Sequence, residues 1–199
     1  MEAESSALRV RPGFAEGLVV VGGAAAIVGS FLVWFRVHLG LKGLGLVART
    51  ISSKGIDGAD GKITLIAGVV AVLMGLLMFL WRSGGPRVAM GVVALLGGLT
   101  AAGLSGYDAA TPQQRFIDAN APDLAAKTHI SRAMAERLYQ GLFNSGALKI
   151  SLAVGVFVVI AGGAIAALAA AFALGKSPEE PGAVPEPEPA ATELEAPSG

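Results

Sequence analysis

Four stretches of the 199-residue chain, residues 17–35, 63–81, 88–106 and 150–175, contain no Asp, Glu, Lys or Arg and are built mostly from Val, Leu, Ala, Gly, Ile and Phe. A hydrocarbon core about 30 Å thick is crossed by roughly 20 residues of α-helix. One Asp, Lys or Arg at the centre of such a helix would add about 2.5–3.5 kcal/mol to insertion. The runs therefore predict four transmembrane helices, and with them an all-α membrane protein, a four-transmembrane-helix bundle spanning residues 14–175. A flexible polar segment, residues 1–13, precedes it, and a tail, residues 176–199, follows. The charged fraction of 15% supports the same reading, since soluble domains average about 25%. Arg9 and Arg11 stand before the first run as they would before a signal peptide. That run is about twice the length of a signal h-region and no small-residue cleavage site follows it, so a retained helix is expected.

The net charge of zero hides an asymmetry. Six Glu and one Lys follow position 175, leaving the first 175 residues at +5. Six Pro accompany those Glu, a composition that buries too little surface to offset ordering entropy, so the tail reads as disordered. With no Cys in the chain, disulfides, thiolate metal sites and cysteine nucleophiles are excluded.

The loops differ in character. In the first, about residues 36–62, Val37, Leu39, Leu41, Leu44 and Leu46 alternate with other residues around Lys42-Gly43, which suggests a small Gly-rich hairpin. The second is a short turn over Gly84-Gly85-Pro86, which forces the second and third spans into an antiparallel pair. The third, about residues 107–149, predicts two helices. One opens at Thr111-Pro112, with Gln114 three residues after the cap. The other opens at Pro122-Asp123, carries Ile130, Met134, Leu138 and Leu142 at spacing four, and ends near Gly146. So narrow an apolar stripe suits a membrane surface or a neighbouring loop.

Residues 57–62, Asp-Gly-Ala-Asp-Gly-Lys, fit neither a calcium loop nor a phosphate loop. Ala59 stands where an EF-hand needs an oxygen ligand and Gly68 where it needs Glu; Ile56 and Ile63 stand where a Walker loop needs Gly and Ser or Thr. The segment reads as a turn leading into the second span. His38 and His129 lie in different loops with no ligand cluster beside them, and a metal site needs three or four ligands. No catalytic, cofactor-binding or metal residues are assigned. Ser30, Thr64, Thr100, Ser105 and Ser151 are expected to bond to their own helix backbone, and Glu16 to reach water at the edge of the first span. Ion coupling usually needs an ionisable residue inside a span, and the four runs offer none.

Small residues recur four apart at Ala25/Gly29, Ala71/Gly75, Ala94/Gly98/Ala102, Gly97/Ala101 and Gly162/Ala166/Ala170, a spacing that lets helix backbones approach closely in lipid. Trp34 and Trp81 end the first two runs, where aromatic rings favour the headgroup zone.

Trp34-Phe35, the Gly-rich first loop, Gly55 followed by Asp57 through Leu65, the Arg-flanked hairpin and Gly106-Tyr107-Asp108 together resemble the small four-span membrane proteins common in actinobacteria. The likeness covers about residues 14–175 and implies a bacterial plasma-membrane protein, while carrying over no functional residue. The layout is also similar to claudin-like four-helix proteins with a strand-bearing outer loop, whose paired cysteines are absent here.

Four spans place both termini on one side. Ten Lys and Arg fall in the first and third loops against five elsewhere (Arg9, Arg11, Arg82, Arg87, Lys176). A literal positive-inside count would put the long loops in the cytoplasm. The tight packing of Arg82 and Arg87 against the membrane, and Arg9 and Arg11 before the first span, favour cytoplasmic termini instead. The function expected is that of a non-enzymatic structural or accessory component, binding a protein partner or itself through loops and small-residue helix faces, in contact with lipid and not with nucleic acid. The alternative is a subunit of an oligomeric channel or transporter. An intramembrane enzyme would need a base that Ser30 or Ser151 alone does not supply.

Overall fold

The computed structural model describes residues 13–40, 49–81 and 84–175. Its elements are α1 (Phe14–Phe31), β1 (Val33–Leu39), β2 (Arg49–Lys54), α2 (Ala59–Leu80), α3 (Gly85–Ala110), α4 (Pro112–Thr128), α5 (Arg132–Asn144), β3 (Leu148–Leu152) and α6 (Val154–Gly175). The expected flexible segment (residue 13 apart), the tail, the Lys42-Gly43 turn and Arg82 lie outside the described residues.

Four helices, α1, α2, α3 and α6, are long and apolar enough to cross a bilayer. They pack side by side in the cyclic order α1, α2, α3, α6, each against two neighbours. Large apolar side chains such as Ile66, Leu76, Leu96, Leu168 and Phe172 face outward. Ala26, Ala71, Ala94, Ala101, Ala166 and Ala170 are buried. Such an exterior suits hydrocarbon rather than water.

Glycine lets these helices touch backbone to backbone. A Cβ on Gly22 would stand 2.6 Å from Gly162 O, and one on Gly98 would stand 2.6 Å from Ala167 N and 2.7 Å from Gly163 O. Gly23 meets Gly68 across α1 and α2, and Gly97 meets Ala67 across α3 and α2. The small-residue faces legible in the sequence thus lie largely against one another inside the chain.

The all-α reading is corrected by a three-stranded antiparallel sheet, in the order β2-β1-β3. The hairpin of the first loop is present, with a strand at Arg49–Lys54 paired to β1, while Leu41, Leu44 and Leu46 lie outside the described residues. β3 had been counted inside the fourth span, and β1 takes the end of the first. The physical reason is shared: residues 33–35 and 150–152 carry on the apolar runs of the neighbouring spans, and hydropathy alone does not separate such a run from helix.

The spans shift accordingly. α1 starts three residues before the expected first span and stops at Phe31, α3 continues past Gly106 to Ala110, and α6 starts at Val154.

Trp34 is the other correction. β1 bulges between Val33 and Phe35, which turns the intervening Trp34 into the helix ends, where it is 2% exposed. Its Nε1 donates to Gly29 O at 2.9 Å, and its ring packs against Gly55 and Gly155. A buried indole with its one donor satisfied is a core group, not an anchor at the headgroups. Trp81, by contrast, is exposed just beyond α2.

Candidate functional site

The sheet, α4 and α5 together form a cap on one end of the helices, and the cap gathers most of the polar side chains among the described residues. Its attachment begins at residues 54–62. Lys54 N donates to Asp57 Oδ2 at 2.8 Å, closing a single 3-10 turn at Gly55–Asp57 before α2. Gly61 lies so close to the Gly55 carbonyl that no Cβ fits. The stretch is a turn with two close backbone approaches, as its failure to match either ligand loop implied.

Asp60 lies in the first turn of α2, where a negative charge is favoured by the helix dipole. Across from it, Asp108 in α3 is 4% exposed. Arg115 of α4 joins them, with Nε 2.8 Å from Asp108 Oδ1 and Nη2 3.1 Å from Asp60 Oδ2. The guanidinium also stands 4.8 Å from the centre of the Tyr107 ring. One cation between two carboxylates ties α4 to the ends of α2 and α3. Sequence reasoning missed this node because it ended the third span at Gly106 and treated Asp108 as loop; a signal did exist, since residues 106–110 continue the helical pattern without Pro.

α4 runs through Pro122, which sits inside the helix rather than opening a new one. It ends at His129, whose φ of 56° is a left-handed conformation that terminates helices. α5 then starts at Arg132, its cap the Ser131 hydroxyl, which accepts from Met134 N at 3.2 Å. Phe116 meets Tyr139 and Phe143 edge to face, and Ile117, Ala121 and Ala135 fill the space between the two helices. Ile130 joins this small core, whereas Met134, Leu138 and Leu142 stay exposed. A cavity of about 570 Å³ opens between the start of α4 and the end of α5, lined by Thr111, Gln113, Gln114, Gln140, Phe143 and Asn144 among others.

On the sheet, His38 spans all three strands. Its Nδ1 lies 3.0 Å from Thr50 Oγ1 and its Nε2 3.2 Å from Ser151 Oγ. Sequence reasoning left Ser151 in a span without a base. The structure sets it on β3 beside an imidazole, with its hydroxyl donating to Arg36 O at 3.4 Å. The group on the far side of the ring is a hydroxyl, where nucleophilic triads use a carboxylate to orient and charge the base. Ser30 and Thr64 do bond to their own helix, at Ala26 O and Asp60 O; Ser105 is buried without such a bond. His129 is a helix terminator, and no cluster of three His, Asp or Glu suited to a metal ion occurs among the described residues.

At the opposite end of the helices, Glu16 does not reach out to water. It is buried, 2.6 Å from Arg87 Nη2. A comparison with protein-family models and with curated proteins finds no match.

Proposed function

We propose that this chain is a multi-pass component of a bacterial plasma membrane, of the actinobacterial kind its layout resembles, with both termini in the cytoplasm, and that it acts without catalysis by presenting its cap to a protein partner. The observation that carries this reading is α5. One side of the helix packs on α4, while Met134, Leu138 and Leu142 form an adjacent exposed apolar row on a scaffold fixed to the spans. Apolar rows of this kind, rimmed by polar residues, mark association surfaces. With the small-residue helix faces occupied within the chain, the cap is the surface left for a partner. A channel reading has less support, because the buried side chains between the helices are mostly Ala, Val and Met, with Ser30 and Thr64 bonded to their own helix backbone.

The test is purification in mild detergent of the wild type and of a Met134→Gln/Leu138→Gln variant. A partner present in fixed ratio with the wild type and lost from the variant supports the reading. A chain that runs alone in both overturns it. Membrane integration is tested separately by alkaline carbonate washing, after which the protein should stay in the pellet.

A further inference from the structure

β1, β2 and β3 contain four cations, Arg36, Arg49, Lys54 and Lys149, and no carboxylate. Their register sorts them by face. Arg36 lies opposite Ser52 and Ser151, and His38 lies opposite Thr50 and Lys149. Because alternate residues of a strand share a face, these six form one surface of the sheet, and the His38 contacts to Thr50 and Ser151 confirm that it is shared. All are exposed except Ser151, which is half-buried. The surface thus offers two permanent cations, an imidazole and three hydroxyls. The nearest acidic residue in sequence, Asp57, is turned to the Lys54 amide.

The rows also lie close to the ends of the spans. α1 is 18 residues long, about 27 Å at 1.5 Å per residue, so its ends match the edges of a hydrocarbon core about 30 Å thick. β1 leaves that edge directly, and β3 returns to it directly at α6. Arg36 stands three residues beyond Val33, and Ser151 three before Val154. The Arg36, Ser52 and Ser151 row is therefore the nearer of the two to the core edge, and a long side chain such as that of Arg36 reaches back toward the headgroups. The His38, Thr50 and Lys149 row lies two residues farther out.

We infer that this sheet face binds the phosphate groups of anionic lipids of the protein's own membrane, with Arg36 and Lys149 supplying charge and Ser52 supplying a hydroxyl donor. The inference rests on the membrane reading above but not on the existence of a protein partner. Charge complementarity selects the ligand class, and the direct continuity of β1 with α1 and of β3 with α6 keeps the face beside the membrane.

The experiment uses the full chain in nanodiscs of phosphatidylcholine alone or of phosphatidylcholine with an equal part of phosphatidylglycerol. An amine-reactive reagent is applied, and modification of Lys149 is followed by mass spectrometry against Lys127, an exposed lysine of α4 that serves as the internal reference for surface pH. Lys149 should react several-fold more slowly relative to Lys127 in the anionic discs. Arg36→Gln should abolish that difference and Arg36→Lys should preserve it. An equal ratio in both lipids overturns the inference, as does protection in phosphatidylcholine discs by added inorganic phosphate alone, which would make the ligand a free anion. The comparison between lipids needs no variant, so a failure of Arg36→Gln to fold leaves it decisive.

Discussion

Glu16, in the first turn of α1, and Arg87, in the first turn of α3, form an ion pair at 2.6 Å on the end of the helices opposite the cap. α1 and α3 are diagonal in the ring of four and touch little elsewhere, so the pair closes a diagonal that apolar packing leaves open. Glu16→Gln removes the charge that Arg87 faces and should cost about 1–3 kcal/mol, the usual range for a charge-assisted contact. Thermal unfolding in detergent should show it, and adding Arg87→Gln should recover part of the loss. Additive losses from the two changes would show that the residues do not interact.

At the cap end, Arg115 separates Asp60 from Asp108. Arg115→Gln leaves two facing carboxylates, one of them buried, and should destabilise the protein by about 2 kcal/mol or more. Asp60→Asn added to that variant should restore most of the stability. If the second change gives no rescue, the node is not held by charge balance.

Gly98 and Gly163 bring the backbones of α3 and α6 together. Gly98→Val places side-chain atoms where Ala167 N and Gly163 O already stand, and overpacking of this kind costs about 1–3 kcal/mol. Gly103, also in α3, has open space around it, and Gly103→Val should be nearly silent in the same melting experiment. Equal effects at the two positions would mean that helix propensity alone is being measured.

Trp34→Phe keeps the ring volume approximately but removes the donor to Gly29 O, leaving a buried carbonyl without it, for a loss of about 1 kcal/mol. Trp34→Ala also empties the junction and should cost about 3–5 kcal/mol. Quenching of the indole offers a direct check. In a Trp81→Phe background, Trp34 should resist water-soluble quenchers, while in a Trp34→Phe background Trp81 should not.

Topology is the fifth expectation open to test. A phosphatase reporter active only outside the cytoplasm should work when fused near Ser53 or Ala126 and stay silent after Gly84 or Gly175. Arg82→Gln with Arg87→Gln should produce a mixed population, since these two arginines flank the short turn between the second and third spans. The reverse reporter pattern would exchange the compartments of cap and termini.

Helix existence was legible because charge is excluded from bilayer-spanning helices by several kcal/mol, which leaves long blank runs that nothing else in a sequence imitates. Helix ends were not. Residues 33–35 and 150–152 continue the mostly apolar runs of the spans beside them, yet they belong to strands, and the partner of β1 in β3 is more than a hundred residues away. Nothing local announces such a pairing. Asp108 was misplaced for the opposite reason: a carboxylate looks like the end of a span until the distant Arg115 that neutralises it is in view. Glu16 has the same history with Arg87. In each case the missing information was a partner remote in sequence, and burial of a charge is intelligible only with that partner.

β1 is the direct continuation of α1 and β3 leads directly into α6, and the same two segments are neighbours twice, as strands through backbone hydrogen bonds and as helices through glycine contacts. Two rods joined in this way act as a pair of levers with a common handle. A force that tilts the sheet has no flexible linker to absorb it, because Trp34 and Gly155 are wedged at the point where handle and levers meet. A load on the cap is therefore passed to α1 and α6 together, and along them to their far ends, where Ala15, Met78 and Ala173 form one buried cluster.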